Sequence, residues 1–95
     1  MPQRALERIR RLVRELRYEI TEHALDEMAE DNLLIVDVET AMLTGNVVRE
    51  DQGDPRGTVY VLEGKAVDGE TSVGIAVRFN ERKNLLVITA YKINE

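Results

Sequence analysis

His23 is the one histidine of the chain, and its side chain alone has an ordinary pKa near neutrality. It follows Thr21 and Glu22 at what reads as a helix start. That position disfavours imidazolium and leaves a neutral ring able to accept a proton. The plainer alternative is a surface histidine bonded to the next element. Asp26, Glu27, Glu30 and Asp31 crowd the same helix. Paired carboxylates can hold a divalent ion or act as acid and base, although a solvated face is their commoner use. Acids near a helix C-terminus oppose its dipole, and a basic partner would relieve that cost. A loop from Glu50 to Gly57 carries Arg56, with Pro55 fixing one φ and Gly53 and Gly57 permitting positive φ. Arg56 could touch phosphate, but three acids to one base do not make a phosphate-cradling glycine loop.

These residues need elements to position them. Residues 3–17 place Leu6, Ile9, Leu12, Val13 and Leu16 at helical spacing, with Arg4, Arg8, Arg11 and Arg14 elsewhere on the turn. Tyr18-Glu19-Ile20 breaks that period and reads as a connector or a short strand. A second helix fits residues 22–31, with Ala24, Leu25, Met28 and Ala29 as a narrow apolar stripe. A third fits 35–43, closed by Gly45. The period then changes to two. Strands are expected at 46–51, 58–65, 71–80 and 85–93, and Asp68-Gly69 marks a tight turn. Helices followed by strands predict an α+β fold: three helical segments on one face of a four-stranded antiparallel meander, as a single domain over 1–95. Val73, Ile75, Val77 and Phe79 form the row expected to take the helices.

The opposite face is expected to carry Thr58, Tyr60 and Leu62 beside Ser72, Gly74, Ala76 and Arg78. The last strand adds Thr89 and Tyr91, with Leu85 and Val87 beneath them. Small residues leave room above the sheet, a tyrosine can stack on a base, and an arginine can grip a phosphate. An ordinary half-solvated sheet face uses the same residue types, and a one-residue slip would swap the faces.

Hydrophobic residues make up 43% of the 95 and charged residues 33%, a globular balance. Cysteine is absent, which excludes disulfides and thiol chemistry; with one histidine, neither a metal nor another cofactor is expected. No apolar run is long enough for a membrane span, and the N-terminus leads into a charged amphipathic stretch, which predicts a cytoplasmic protein. The net charge of −5 hides a pattern. Residues 1–20 carry six arginines against three acids, residues 21–70 carry three bases against thirteen acids, and residues 71–95 carry four bases against two acids. An RNA-binding surface must therefore be local, and the acidic middle is open to a basic partner.

Three blocks together carry a resemblance. Ile20-Thr21-Glu22-His23-Ala24-Leu25-Asp26-Glu27-Met28 is followed by Val38 to Gly45; Val47-Val48-Arg49-Glu50-Asp51 precedes Asp54-Pro55-Arg56-Gly57; Val87-Ile88-Thr89-Ala90-Tyr91 closes the series. The chain resembles the bacterial domain-of-unknown-function family 4258 over nearly its whole length. Members of that family look like toxins of the RelE/ParE and BrnT type, small α+β proteins that are often endoribonucleases paired with an antitoxin. The resemblance implies a RelE-toxin-like fold and an antitoxin-like small protein of zinc-ribbon type as partner. His23 matches the helix-start histidine of the family, Arg56 the basic residue of its Pro-Arg-Gly loop, and Thr89 and Tyr91 its closing strand. The family often has Arg where this chain has Glu27.

Two functions follow as expectations. One is a toxin-like, metal-independent endoribonuclease acting on mRNA. His23, Tyr91 and Arg78 would be its catalytic residues, and Arg56, Tyr60 and Thr89 would bind the RNA. The other is a non-catalytic protein-binding module of the same fold, acting through its acidic surface. The complementary charged ends would also support a homodimer.

Overall fold

The computed structural model describes residues 3–94. The elements run α1 (Gln3–Arg14), β1 (Tyr18–Ile20), α2 (Glu22–Glu30), α3 (Ile35–Thr44), β2 (Asn46–Asp51), β3 (Val59–Lys65), β4 (Ser72–Phe79) and β5 (Leu85–Lys92). α1 buries Leu6, Ile9, Leu12 and Val13, the stripe its spacing predicts. It closes with Leu16 in a left-handed conformation while the Arg17 amide donates to the Leu12 carbonyl at 2.8 Å. Thr21 caps α2, its hydroxyl accepting from the Ala24 amide at 3.1 Å. Asn32 takes the left-handed position after α2, where a glycine is more usual. Asp37 holds the start of α3 by accepting from the Leu34 amide, and its other oxygen accepts from the Val67 amide in the β3–β4 connection.

β2 to β5 form the expected antiparallel meander, but the sheet has five strands, in the order β1-β5-β4-β3-β2. The four-strand expectation is corrected by Tyr18–Ile20, which pairs in parallel with Leu85 to Val87. Three residues cannot declare a period, and the pairing joins positions some 67 residues apart in the chain, so no local signal marks it. The Tyr18 side chain points to the helix layer, where its hydroxyl donates to Glu39. Burial, that hydrogen bond and the nearby carboxylate charge push its pKa up to about 12.

All three helices contribute to one core on one side of the sheet. Val73, Ile75, Val77, Leu62, Leu85, Val87 and Ala90 meet Ile9, Leu12, Met28, Val38 and Met42 there. α3 reaches β3 backbone to backbone at Gly64, where an added Cβ would sit 2.2 Å from the Ala41 carbonyl oxygen.

The strand registers correct the expected open face. Tyr60 pairs with Val77 and Leu62 with Ile75, so both point into the helix layer. Leu62 is fully buried, and Tyr60 packs edge-on against Phe79 at 5.8 Å between centroids. Val59 and Val61 take the open face instead. On β5 the expected Leu85 and Val87 also turn inward. Ala76 pairs with Thr89 but Val77 pairs with Val87, so Ile88 is an extra residue that changes the phase. The open face therefore presents Gly74, Ala76 and Arg78 from β4, Thr89 and Tyr91 from β5, and Glu19 from β1 at the level of Leu86.

Candidate functional site

Two sets of chemistry-bearing residues lie outside the core, one on the open side of the sheet and one along its β5 edge. The first is a groove of about 700 Å³ at the end where β4 leaves the sheet, lined by Glu19, Pro55, Arg56, Arg78, Asn80, Glu81 and Arg82. Arg78 comes from β4, Arg82 from the β4–β5 turn and Arg56 from the β2–β3 loop.

Local hydrogen bonds shape each piece. Asn80 Oδ1 accepts from the Arg82 and Asn84 amides, both at 3.0 Å, which folds the turn back on itself. Asn80 Nδ2 donates to Glu19 at 3.4 Å and ties the turn to β1. In the loop, Asp54 Oδ1 accepts from the Arg56 amide at 2.8 Å, and the carboxylate takes Nε and Nη2 of the same arginine at 3.2 and 3.3 Å. Those bonds hold the Asp54 carboxyl below its ordinary range, the side-chain bond first, with the Arg78 charge adding to them; they raise Arg56 in turn. Arg56 is thus pinned in orientation and partly neutralised. The guanidinium groups of Arg78 and Arg82 have no ion-pair partner among the described residues. They are the charges this groove can offer an anion.

The second set centres on Glu27. β1 ends beside Val87, so the outer backbone edge of β5 continues unpaired beyond it. α2 covers that edge with carboxylates. Glu27 Oε1 accepts from the Thr89 hydroxyl and from the Ala90 amide at 3.2 Å, and Asp31 Oδ2 accepts from the Lys92 amide at 2.8 Å. Helical residues four apart and strand residues two apart both repeat at about 6–7 Å, so the two carboxylates match alternate strand amides. Glu27 and Asp31 therefore substitute for a neighbouring strand and are not simply a solvated run. His23 lies one turn before Glu27, its Nε2 at 3.4 Å from Oε1 and its side chain 71% exposed. The Glu27 oxygen is already taken by Thr89 and Ala90, so the imidazole stands beside the carboxylate with one ring nitrogen able to accept a proton in its neutral form.

The expected site residues are thus only partly brought together. Arg56 and Arg78 meet in the groove. His23 and Thr89 meet through Glu27, and the Thr89 hydroxyl is taken by that carboxylate. The Tyr91 ring lies over Gly74, where an added Cβ would come within 2.6 Å of it. The room left by the glycine is therefore filled by the tyrosine, whose outer surface stays exposed. Tyr60 belongs to neither set, because its register sends it to the helix side. Sequence reasoning missed Arg82, Asn80 and Glu19, which only the turn and the parallel strand bring together. It weighed Glu27 only as one of a run of acids, where its i+4 spacing from His23 was the available signal for the pair.

Among the described residues no group of three or more His, Asp or Glu side chains could hold a metal ion. No helix is long and apolar enough to cross a membrane. The family described as Domain of unknown function (DUF4258) matches residues 20–92. Neither a curated protein nor a solved structure matches the chain.

Proposed function

The chain belongs to the DUF4258 family, and from that premise we propose that it is a toxin-like RNA-binding domain that cleaves RNA by attack of a 2′-hydroxyl on the adjacent phosphodiester. The observation that carries the reading is the groove in which Arg78 and Arg82 stand without ion-pair partners among the described residues, beside an oriented Arg56. Guanidinium groups from loop, strand and turn can hold one phosphate and the charge that develops on it. The α+β layering supports the same reading, because helices on one side leave the other sheet face for a single strand of RNA.

In this mechanism His23 accepts the 2′-hydroxyl proton at Nδ1, with the Glu27 carboxylate beside Nε2. The 2′-oxygen bonds to phosphorus and the bond to the 5′-oxygen breaks. The leaving 5′-oxygen takes a proton from solvent. The products are a 2′,3′-cyclic phosphate and a 5′-hydroxyl. Tyr91 stacks a base on its outer face, since Gly74 already covers the inner one. Of the two tyrosines first expected to stack a base, Tyr60 and Tyr91, the role goes to Tyr91, and Glu27 joins the site as the carboxylate beside His23. An antitoxin-like small protein of zinc-ribbon type would be the partner in such a pair.

The test is binding and cleavage of a short single-stranded RNA by the purified chain. Arg78→Ala is expected to weaken binding about tenfold or more, since a hydrogen bond to a charged group contributes roughly 1.5–3 kcal/mol. His23→Ala is expected to keep binding and slow cleavage by about 10²–10⁴. Wild-type protein that binds no RNA would sink the reading. Unchanged cleavage by His23→Ala would remove the base assignment alone.

A further inference from the structure

From Tyr18 to Val48 the chain has eight acids and no Lys or Arg. Five of the eight have work inside the fold. Glu19 accepts from Asn80, Glu27 from Thr89 and Ala90, Asp31 from Lys92, Asp37 from Leu34 and Val67, and Glu39 from Tyr18. Glu22, Asp26 and Glu30 are exposed and have no hydrogen-bond or ion-pair partner among the described residues. They stand at i, i+4 and i+8, one row along α2. Like charges at that spacing repel, and Glu30 also faces the negative end of the helix dipole. Only Glu22, in the first turn, gains from the helix dipole; Asp26 and Glu30 weaken α2 and have no partner among the described residues.

Beside the row runs an apolar groove of about 670 Å³. Leu25 and Ala29 form one wall, Met28 and Leu33 the floor, and Leu34 and Ile35 the other wall. Leu34 is 66% exposed and Ile35 48%. Large apolar side chains left in water beside unpaired charges of one sign mark an interaction surface.

We propose that this groove binds a basic amphipathic helix of a partner protein. The apolar ridge of that helix packs between Leu25 and Leu34–Ile35, and its Lys or Arg residues lie over Glu22, Asp26 and Glu30. The acidic row spans eight residues of rise, about 12 Å, which a partner helix matches with cations at its own i, i+4 and i+8 positions. A nucleic acid is excluded from this surface by the sign of the charge. The chain's own basic helix is a poorer occupant in a second copy. α1 commits Leu6, Ile9, Leu12 and Val13 to its own core. It keeps charge but no apolar ridge, apart from Leu16 just beyond its end, too small to fill the groove. The proposal stands whether or not the chain cuts RNA.

The probe is a synthetic amphipathic helical peptide of Leu and Lys, set against a scrambled peptide of the same composition, with binding to the full chain read by fluorescence anisotropy. The ordered peptide is expected to bind at least about tenfold tighter than the scrambled one. Leu34→Ser and the Asp26→Lys/Glu30→Lys double variant are each expected to lose about tenfold, with unchanged circular dichroism because all three positions are exposed. Equal binding of the two peptides, or indifference to Leu34→Ser, overturns the proposal. So does a wild-type dimer in sedimentation that both Leu16→Ser and Leu34→Ser dissolve, because a second copy would then own the groove.

Discussion

α1 and α2 are charged helices of opposite sign, and they are attached to the same sheet in different ways. α1 is held mainly by burial, with Leu6, Ile9, Leu12 and Val13 all in the core; Arg10 Nη2 also donates to the Gly45 carbonyl at 2.7 Å, and the Arg8 guanidinium lies 3.8 Å from the centroid of the Phe79 ring. Its arginines line open hollows on the outer surface, one of which also takes Arg17 and Lys83 from the β4–β5 turn. α2 buries only Ala24 and Met28 and completes its attachment with carboxylates on the edge of β5. The charges of Arg4, Arg11 and Arg14 on α1 are thus dispensable to the fold and available to a ligand, whereas Arg8 and Arg10 make contacts within it. Charge on α2 is divided between structural carboxylates and free ones. A deletion of charge should read differently on the two helices, and on α2 it should read differently from one turn position to the next.

The largest expected effect is on the apolar side of the comparison. Leu12→Ala should cost about 2–5 kcal/mol, read as a lower urea midpoint, because a fully buried side chain is lost from the apolar stripe of α1. A cost under about 1 kcal/mol would mean that the Arg10 and Arg8 contacts, and not the buried stripe, carry α1. Next in size is Glu27→Ala. It leaves the Thr89 hydroxyl and the Ala90 amide without their acceptor and should cost about 1–3 kcal/mol, with faster amide exchange at Ala90. Asp26→Ala, one position away, should be neutral or slightly stabilising; equal losses at both positions would erase the distinction between structural and free acids. Smallest is Arg11→Ala on α1, expected within about 0.5 kcal/mol of wild type in stability. A loss of RNA affinity in that variant would extend the anion-binding surface from the groove onto the helix.

Some of this was legible early. The apolar stripe of α1, the Thr21 cap and the Val73–Phe79 row follow from local spacing, and each has its expected place. β3 was not legible in the same way. Val59, Tyr60, Val61 and Leu62 are apolar at every position, so alternation had no phase to report. The groove was half legible: Arg56 and Arg78 were singled out, whereas Arg82 and Glu19 needed a turn and a parallel pairing that the period cannot express. The acids of α2 read as a solvated face because nothing in a helix pattern says which strand edge lies beside it.

The sequence by itself determined what short-range forces decide. It set the helix stripes, the caps and turns, the order of helices before strands, the missing thiols and the split of charge along the chain. The tertiary structure decided what depends on pairing across long separations. It joined β1 to β5, set the face of Tyr60 through Val77, changed the phase of β5 at Ile88, and brought Glu27 and Asp31 against bare amides. The physical reason is common to all four. A strand side chain acquires a face, and a carboxylate acquires a partner, only when a distant segment presents its hydrogen-bonding edge at a definite register.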